Sequence, residues 1–180
     1  IQNLEYTLAS AIKGLTKTHR SSIGILQGHD ELSPVETASL ELSLSKSYDI
    51  EHFNLREFPI DSINGEPDLN KQIILLNSFD LIILAKPRQR FSELDIWLID
   101  QYLMNNGKGI FMLDAVYADM DSLSYSPEFL AYPILDRINL SDPLFNYGVR
   151  INTSLIQDMV CATLNDRKSI IPWLYFPLIL

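Results

Sequence analysis

Asp80–Asp114, DLIILAKPRQRFSELDIWLIDQYLMNNGKGIFMLD, decides the fold class. Phe79–Ala85 is almost wholly apolar, as expected of a strand covered on both faces. A basic loop follows, carrying Lys86, Arg88 and Arg90. Ser92 then stands at an N-cap position with Asp95 at N3, a capping-box pattern that accounts for an acid on the inward side of the helix among Leu94, Leu98, Tyr102 and Leu103. Ile96, Trp97 and Met104 make the same helix apolar on more than one side, so a neighbouring segment or a partner must cover it. Asn106-Gly107 ends the helix, the glycine being expected to take the left-handed position beyond it. Gly109–Leu113 is a second strand, delivering Asp114 at its carboxyl end. Strand, helix and strand in this order form a βαβ unit, whose parallel strands place loops and candidate sites at their carboxyl ends.

Upstream, the alternation repeats. Residues 3–17 carry Leu4, Leu8, Ala11, Ile12 and Leu15 at helical spacing. Ser22–Gln27 is a short apolar strand closed by Gly28. Ser33-Pro34-Val35-Glu36 supplies a cap, a proline at N1 and an acid at N3, predicting a helix from Pro34 to about Lys46 that buries Val35, Ala38 and Leu42. Tyr48–Leu55 reads as a strand and Leu69–Asn77 as a short helix. Such alternation selects an α/β three-layer sandwich with a mainly parallel sheet, flavodoxin-like or glutamine-amidotransferase-like. Beyond Asp114 the pattern is less regular: a long loop over 115–132, a short helix over Leu140–Tyr147 stopped by Gly148, and strands at Val149–Ile151 and Leu155–Val160. The expected organisation is one domain over 1–180, with a leading helix in 1–18, core βα units in 22–114 and a less regular part in 115–180.

At 180 residues with 47% hydrophobic residues, the chain is long and apolar enough to bury a core. A net charge of −9 argues against nucleic acid, which needs a clustered positive field, and against anionic lipid surfaces. No apolar run reaches the ~18 residues of a membrane helix. The opening at Ile1 and the apolar close at Ile170–Leu180 suggest a fragment cut from a longer chain.

Catalytic signatures are missing. Neither glycine-rich phosphate motif occurs, nor a G-x-S-x-G elbow. Cys161, the single cysteine, follows apolar Met159-Val160 and reads as a structural thiol. His29, directly after Gly28 at the end of the first strand, is either a base or ligand contact flanked by acids, or a histidine that fixes its own turn. Lys86, Arg88 and Arg90 lie beside the Ser92 helix start, where an anion would be received; alternatively they pair with the protein's surplus acids. Asp114, Asp119 and Asp121 do not match a calcium loop and lack His or Cys, so they read as local caps, with no metal and no cofactor expected. The ligand-binding candidates are therefore Gly28, His29, Lys86, Arg88 and Asp114. Trp97, Met104, Trp173 and Tyr175 are the candidates for partner contact.

Three stretches carry a family resemblance. They are Leu26-Gln27-Gly28-His29-Asp30-Glu31-Leu32, then Ala85-Lys86-Pro87 through Phe91-Ser92-Glu93 to Ile99-Asp100-Gln101-Tyr102, and Asn146-Tyr147-Gly148-Val149-Arg150-Ile151-Asn152 with Gln157-Asp158 and Pro172–Leu178. Together they resemble the ABC-transporter auxiliary domain family, and within it the gliding-motility-associated GldG group. Asp30 stands where that loop usually has a second glycine, and aspartate tolerates a left-handed backbone better than most residues. The resemblance implies a membrane-anchored protein with its soluble part in the periplasm, acting with the permease and ATPase subunits of an ABC transporter needed for gliding motility. It implies no enzymatic activity and no cofactor. The competing readings are a small-ligand module, binding a sugar or an anion at the strand ends, and a degenerate hydrolase-like domain using His29.

Overall fold

In the computed structural model, the sheet is parallel, in the order β2-β1-β3-β4. Its strands are β1 (Ser22–Gln27), β2 (Asp49–Asn54), β3 (Leu81–Ala85) and β4 (Lys108–Met112). The intervening helices are α1 (Pro34–Leu44), α2 (Leu69–Leu76) and α3 (Glu93–Met104), and α4 (Ser141–Asn146) follows later. The structure describes residues 20–60, 65–118 and 132–155, the backbone of 161–164 and 173–177, and positions 4, 5, 8, 9, 12 and 14 of the leading segment.

Register assigns the faces. Ile23 aligns with Ile50 and Leu81, and Leu81 with Lys108, so the odd-numbered residues of β1 and β3 share a face with Ile50, His52, Ile110 and Met112. α1 lies on that face, because its Glu41 reaches His52 at 3.3 Å. The other face carries Gly24, where a Cβ would fall 2.9 Å from the ring of Phe79, and Phe111, which meets Ile96 and Ile99 of α3. Moving to β2 and moving back across to β3 and β4 thus place helices on opposite faces, as right-handed crossovers require. This is the expected α/β three-layer arrangement. Ile25, Leu26, Ile82, Leu84 and Ala85 form the centre of the core with Leu76, Leu98 and Tyr102 from the helices.

Three local expectations fail. First, α1 begins as predicted, capped by Ser33 with Pro34 at N1 and Glu36 at N3, but it is rolled away from the predicted face. Val35 is 86% and Leu42 71% exposed, Ala38 is exposed as well, and Thr37 is the buried residue. Leu40, Leu42 and Leu44 recur at spacing two and define no single helical face, so polar contacts set the roll. Thr37 Oγ1 donates to Ser33 O and Glu41 Oε1, and the same Glu41 oxygen reaches His52. Second, α3 ends on Asn106, not Gly107: Asn106 takes φ 69, while Gly107 N donates to Tyr102 O at 3.0 Å and Asn106 N to Leu103 O at 3.1 Å. That is a Schellman termination. Gly107 is needed for closeness, since a Cβ there would fall 2.4 Å from the Tyr102 ring. Third, Val149–Ile151 is not a strand, and neither is Leu155; the rest of the predicted Leu155–Val160 strand lies outside the described residues.

The chain divides into two compact units. The sheet and α1 to α4 belong to the unit formed by Ile1–Asp114 and Leu135–Arg150. The described positions of its leading segment are helical, as predicted, with Leu4, Leu8 and Ile12 exposed. The other unit, Ala115–Ile134 with Ile151–Leu180, contains the antiparallel pair β5 (Val116–Tyr117) and β6 (Tyr132–Pro133) and the hairpin β7 (Cys161–Leu164) and β8 (Trp173–Pro177). The side chains of Cys161, Trp173 and Tyr175, and Asp119 and Asp121 entirely, lie outside the described residues.

Candidate functional site at the carboxyl ends of the strands

Parallel strands bring the loops after β1, β2, β3 and β4 to one edge of the sheet, and hydrogen bonds stitch these loops together. Leu32 N donates to Ala85 O at 3.0 Å, and Lys86 N to Met112 O at 2.8 Å. Arg88 N and Gln89 N both donate to His29 O, at 2.9 and 2.8 Å. Gly28 adopts φ 119, and a Cβ there would lie 2.7 Å from Asn54 Oδ1, so both conformation and space call for glycine. Asp30 follows at φ 56, the left-handed state its side chain tolerates. Lys86 is also left-handed, at φ 55.

His29 sits at the centre of these loops, 1% exposed. Its ring stacks on Phe91 at 3.7 Å between centroids and 5° between planes. Nε2 is 3.0 Å from Asp95 Oδ2, and Nδ1 is 3.4 Å from Glu31 Oε1. That second contact is at ion-pair distance but misses hydrogen-bond geometry, so Glu31 Oε1 is buried with no hydrogen-bond partner. Glu31 Oε2 instead accepts from His29 N at 2.7 Å. Burial alone would lower the imidazole pKa; the hydrogen bond to Asp95 and then the nearby Glu31 carboxylate outweigh it and raise the value above 6.5. Burial likewise pushes the Asp95 carboxyl up, and the hydrogen bonds from His29 and Ser92 overcome it, holding the group at about 2. Ser92 N and Oγ both donate to Asp95 Oδ2, at 2.8 Å each, so the carboxylate that caps α3 is also the partner of His29. Arg56 Nε approaches the same oxygen at 3.8 Å, while its terminal nitrogens donate to Gln89 Oε1 and Arg90 O.

The order of these groups decides their chemistry. A serine nucleophile is activated when histidine lies between serine and acid. Here the acid lies between, with both Ser92 and His29 directed at Asp95 Oδ2. Both imidazole nitrogens face carboxylates, leaving no lone pair aimed at a substrate. The helix N-terminus that an external anion would use already holds Asp95.

The candidates Gly28, His29, Lys86, Arg88 and Asp114 thus share one edge of the sheet but differ in access. Lys86 Nζ pairs with Asp114 Oδ2 at 3.2 Å, both side chains being 42% exposed. Lys86 and Arg88 also lie close enough to Glu36 to add to the lowering of its pKa, which hydrogen bonds to Ser33 dominate. On α3, Ile96 and Ile99 are covered by Leu140, Pro143, Leu144 and Tyr147, while Trp97 and Met104 stay 41% and 66% exposed. Sequence reading found the Ser92–Asp95 cap but missed the roles of Asp95, Phe91 and Arg56 around His29. The signal for Asp95 was an acid on the inward side of α3; nothing local marks Arg56. Among the described residues, no group of three or more His, Cys, Asp or Glu is placed to hold a metal ion, and no helix is long and apolar enough to cross a membrane.

No curated protein matches the chain significantly. The solved mmIFT52 N-terminal domain is similar to it at 23% identity and a TM-score of 0.39, over 52% of this chain and 36% of that structure's length. Residues 20–180 match the family described as an ABC-type uncharacterized transport system, the ABC-transporter auxiliary family, and the chain belongs to that family.

Proposed function

We propose that this is a non-enzymatic auxiliary domain of an ABC-transporter-type complex in the gliding-motility machinery, on the periplasmic side of the membrane. Membership of the transport family supports the setting. The observation that carries the non-catalytic reading is the pairing of both His29 nitrogens with carboxylates in a buried cluster. That cluster ties loops to one another and offers no activated nucleophile. Binding falls instead to the exposed surface, where Trp97 and Met104, seven residues apart, lie along one side of α3.

Photo-crosslinking from positions 97 and 104 of the full-length protein in cells tests the reading. The expected product is a covalent adduct with the permease subunit. Efficient labelling without any transporter subunit among the products would overturn the assignment.

A further inference from the structure

The two edges of the sheet are protected very differently. β2 exposes Asp49, Glu51 and His52, charged or polar groups of the kind that discourage another strand. β4 at the opposite edge carries a single charge, the exposed Lys108 at its start, and is apolar from Ile110 onward. No strand pairs with its outer side among the described residues, and Ile110 and Met112 are 47% and 41% exposed. Among the described residues, Leu140, Pro143, Leu144 and Tyr147 line a cavity with Phe111 on one face of this edge, and Phe145 on α4 is itself 66% exposed.

The sequence at this edge is complementary to itself. Lys108-Gly109-Ile110-Phe111-Met112-Leu113-Asp114 reads from a cation through an apolar centre to an anion. Antiparallel pairing about Phe111 would set Lys108 against Asp114, Ile110 against Met112 and Phe111 against itself. Lys108, Ile110 and Met112 share one sheet face, and Phe111 points to the other. Apart from Gly109 against Leu113, these cross-strand contacts are of stabilising kinds: opposite charges, an apolar pair and an aromatic pair. Asp114, already 3.2 Å from Lys86 of its own chain, would lie between two cations.

We infer that β4 is an isologous dimerisation edge: two copies of this chain pair antiparallel through Lys108–Asp114 and join their sheets into one. A two-fold axis at Phe111 satisfies the self-complementarity that such an interface requires. The surface is distinct from the Trp97 and Met104 side of α3, so a dimer leaves that side open to a different partner.

Sedimentation velocity of the 180-residue chain over a concentration series up to about 1 mM detects even a weak dimer. Ile110→Lys places a charge in the apolar centre of the edge and should raise the dimer dissociation constant more than about tenfold, with an unchanged monomer circular dichroism spectrum. Register is read by cysteine pairing in a Cys161→Ser background. A mixture of Ile110→Cys and Met112→Cys chains should form a mixed disulfide dimer faster than either variant crosslinks with itself. A monomer throughout the series overturns the inference, as does a dimer insensitive to Ile110→Lys or a mixture showing no preference for the mixed disulfide.

Discussion

The imidazole of His29 and the carboxylate of Asp95 meet at 3.0 Å, and the same carboxylate oxygen accepts from the backbone and side chain of Ser92. One acid therefore closes the N-terminus of α3 and pairs with a buried imidazole from the loop after β1. Because His29 O also receives Arg88 N and Gln89 N, the β1 loop, the β3 loop and α3 are fixed at one point. A buried polar centre of this kind stabilises only while its protonation is correct.

The pH dependence of stability follows from both partners. His29 has a folded pKa raised above 6.5, so its contribution is complete below 6.5 and is lost as pH rises through the folded value. Asp95 falls from 3.8 to about 2, so its contribution is complete above 3.8 and is lost as pH drops through about 2. Urea unfolding from about pH 3 to about pH 9 should show greatest stability between roughly pH 4 and 6.5. His29→Gln should flatten the alkaline decline. Parallel pH profiles for the two proteins would show that His29 is not the group responsible.

Removing Asp95 should cost far more than an ordinary helix cap. Ser92 would lose its acceptor and His29 would stay buried without its closer carboxylate. Breaking a buried charge pair by deleting one member costs about 3–5 kcal/mol, against ~1 kcal/mol for a cap alone. Asp95→Ala should therefore approach the larger figure in denaturant unfolding, and it should lower the His29 pKa in an NMR titration. Asp95→Asn keeps an acceptor for Ser92 and should destabilise less. A loss near 1 kcal/mol with an unmoved His29 titration would reduce Asp95 to a simple cap.

Much of this architecture was legible in the sequence, for reasons particular residues make plain. Ser92 with Asp95 and Ser33 with Glu36 marked both helix starts, because capping chemistry is local. The apolar run in β3 marked a strand buried on both faces. The contacts that complete the buried cluster were not legible. Glu31, two residues from His29, was visible among its flanking acids, but Arg56 and Asp95 come from other parts of the chain, and only the β2-β1-β3-β4 order brings them to His29. The C-terminal hairpin was missed for a related reason: Cys161–Leu164 and Trp173–Pro177 are strands through mutual pairing, with an irregularity between Ala162 and Thr163 that breaks simple alternation.

The end of α3 gives a sharp contrast between adjacent residues. Gly107→Ala drives a methyl group into the ring of Tyr102, whose hydroxyl donates to Phe79 O and Lys108 O. Tyr102 is 1% exposed and cannot swing aside without breaking those bonds. Overpacking of this kind costs typically 1–3 kcal/mol, and Gly107→Ala should fall in the upper part of that range. Asn106→Gly, at φ 69, removes a mild left-handed penalty and should be neutral or slightly stabilising. Thermal unfolding of the two variants checks the pair, and a reversed ranking would place the left-handed requirement at Gly107.

The roll of α1 predicts that residues which look like core in the sequence carry almost no stability. Val35→Ser and Leu42→Ser alter side chains that are 86% and 71% exposed, so each should change stability by less than about 0.5 kcal/mol. Leu98→Ala, at 0% exposure on α3, should cost about 2–5 kcal/mol under the same conditions. His52→Ala tests what holds the roll, since it removes the contact at 3.3 Å to Glu41. That substitution should weaken α1 docking by only ~1 kcal/mol, the worth of a partly exposed pair, and raise amide exchange first along α1. If Val35→Ser or Leu42→Ser instead costs as much as Leu98→Ala, α1 packs through the face its apolar residues suggest, and the Thr37–Glu41–His52 contacts do not set its orientation.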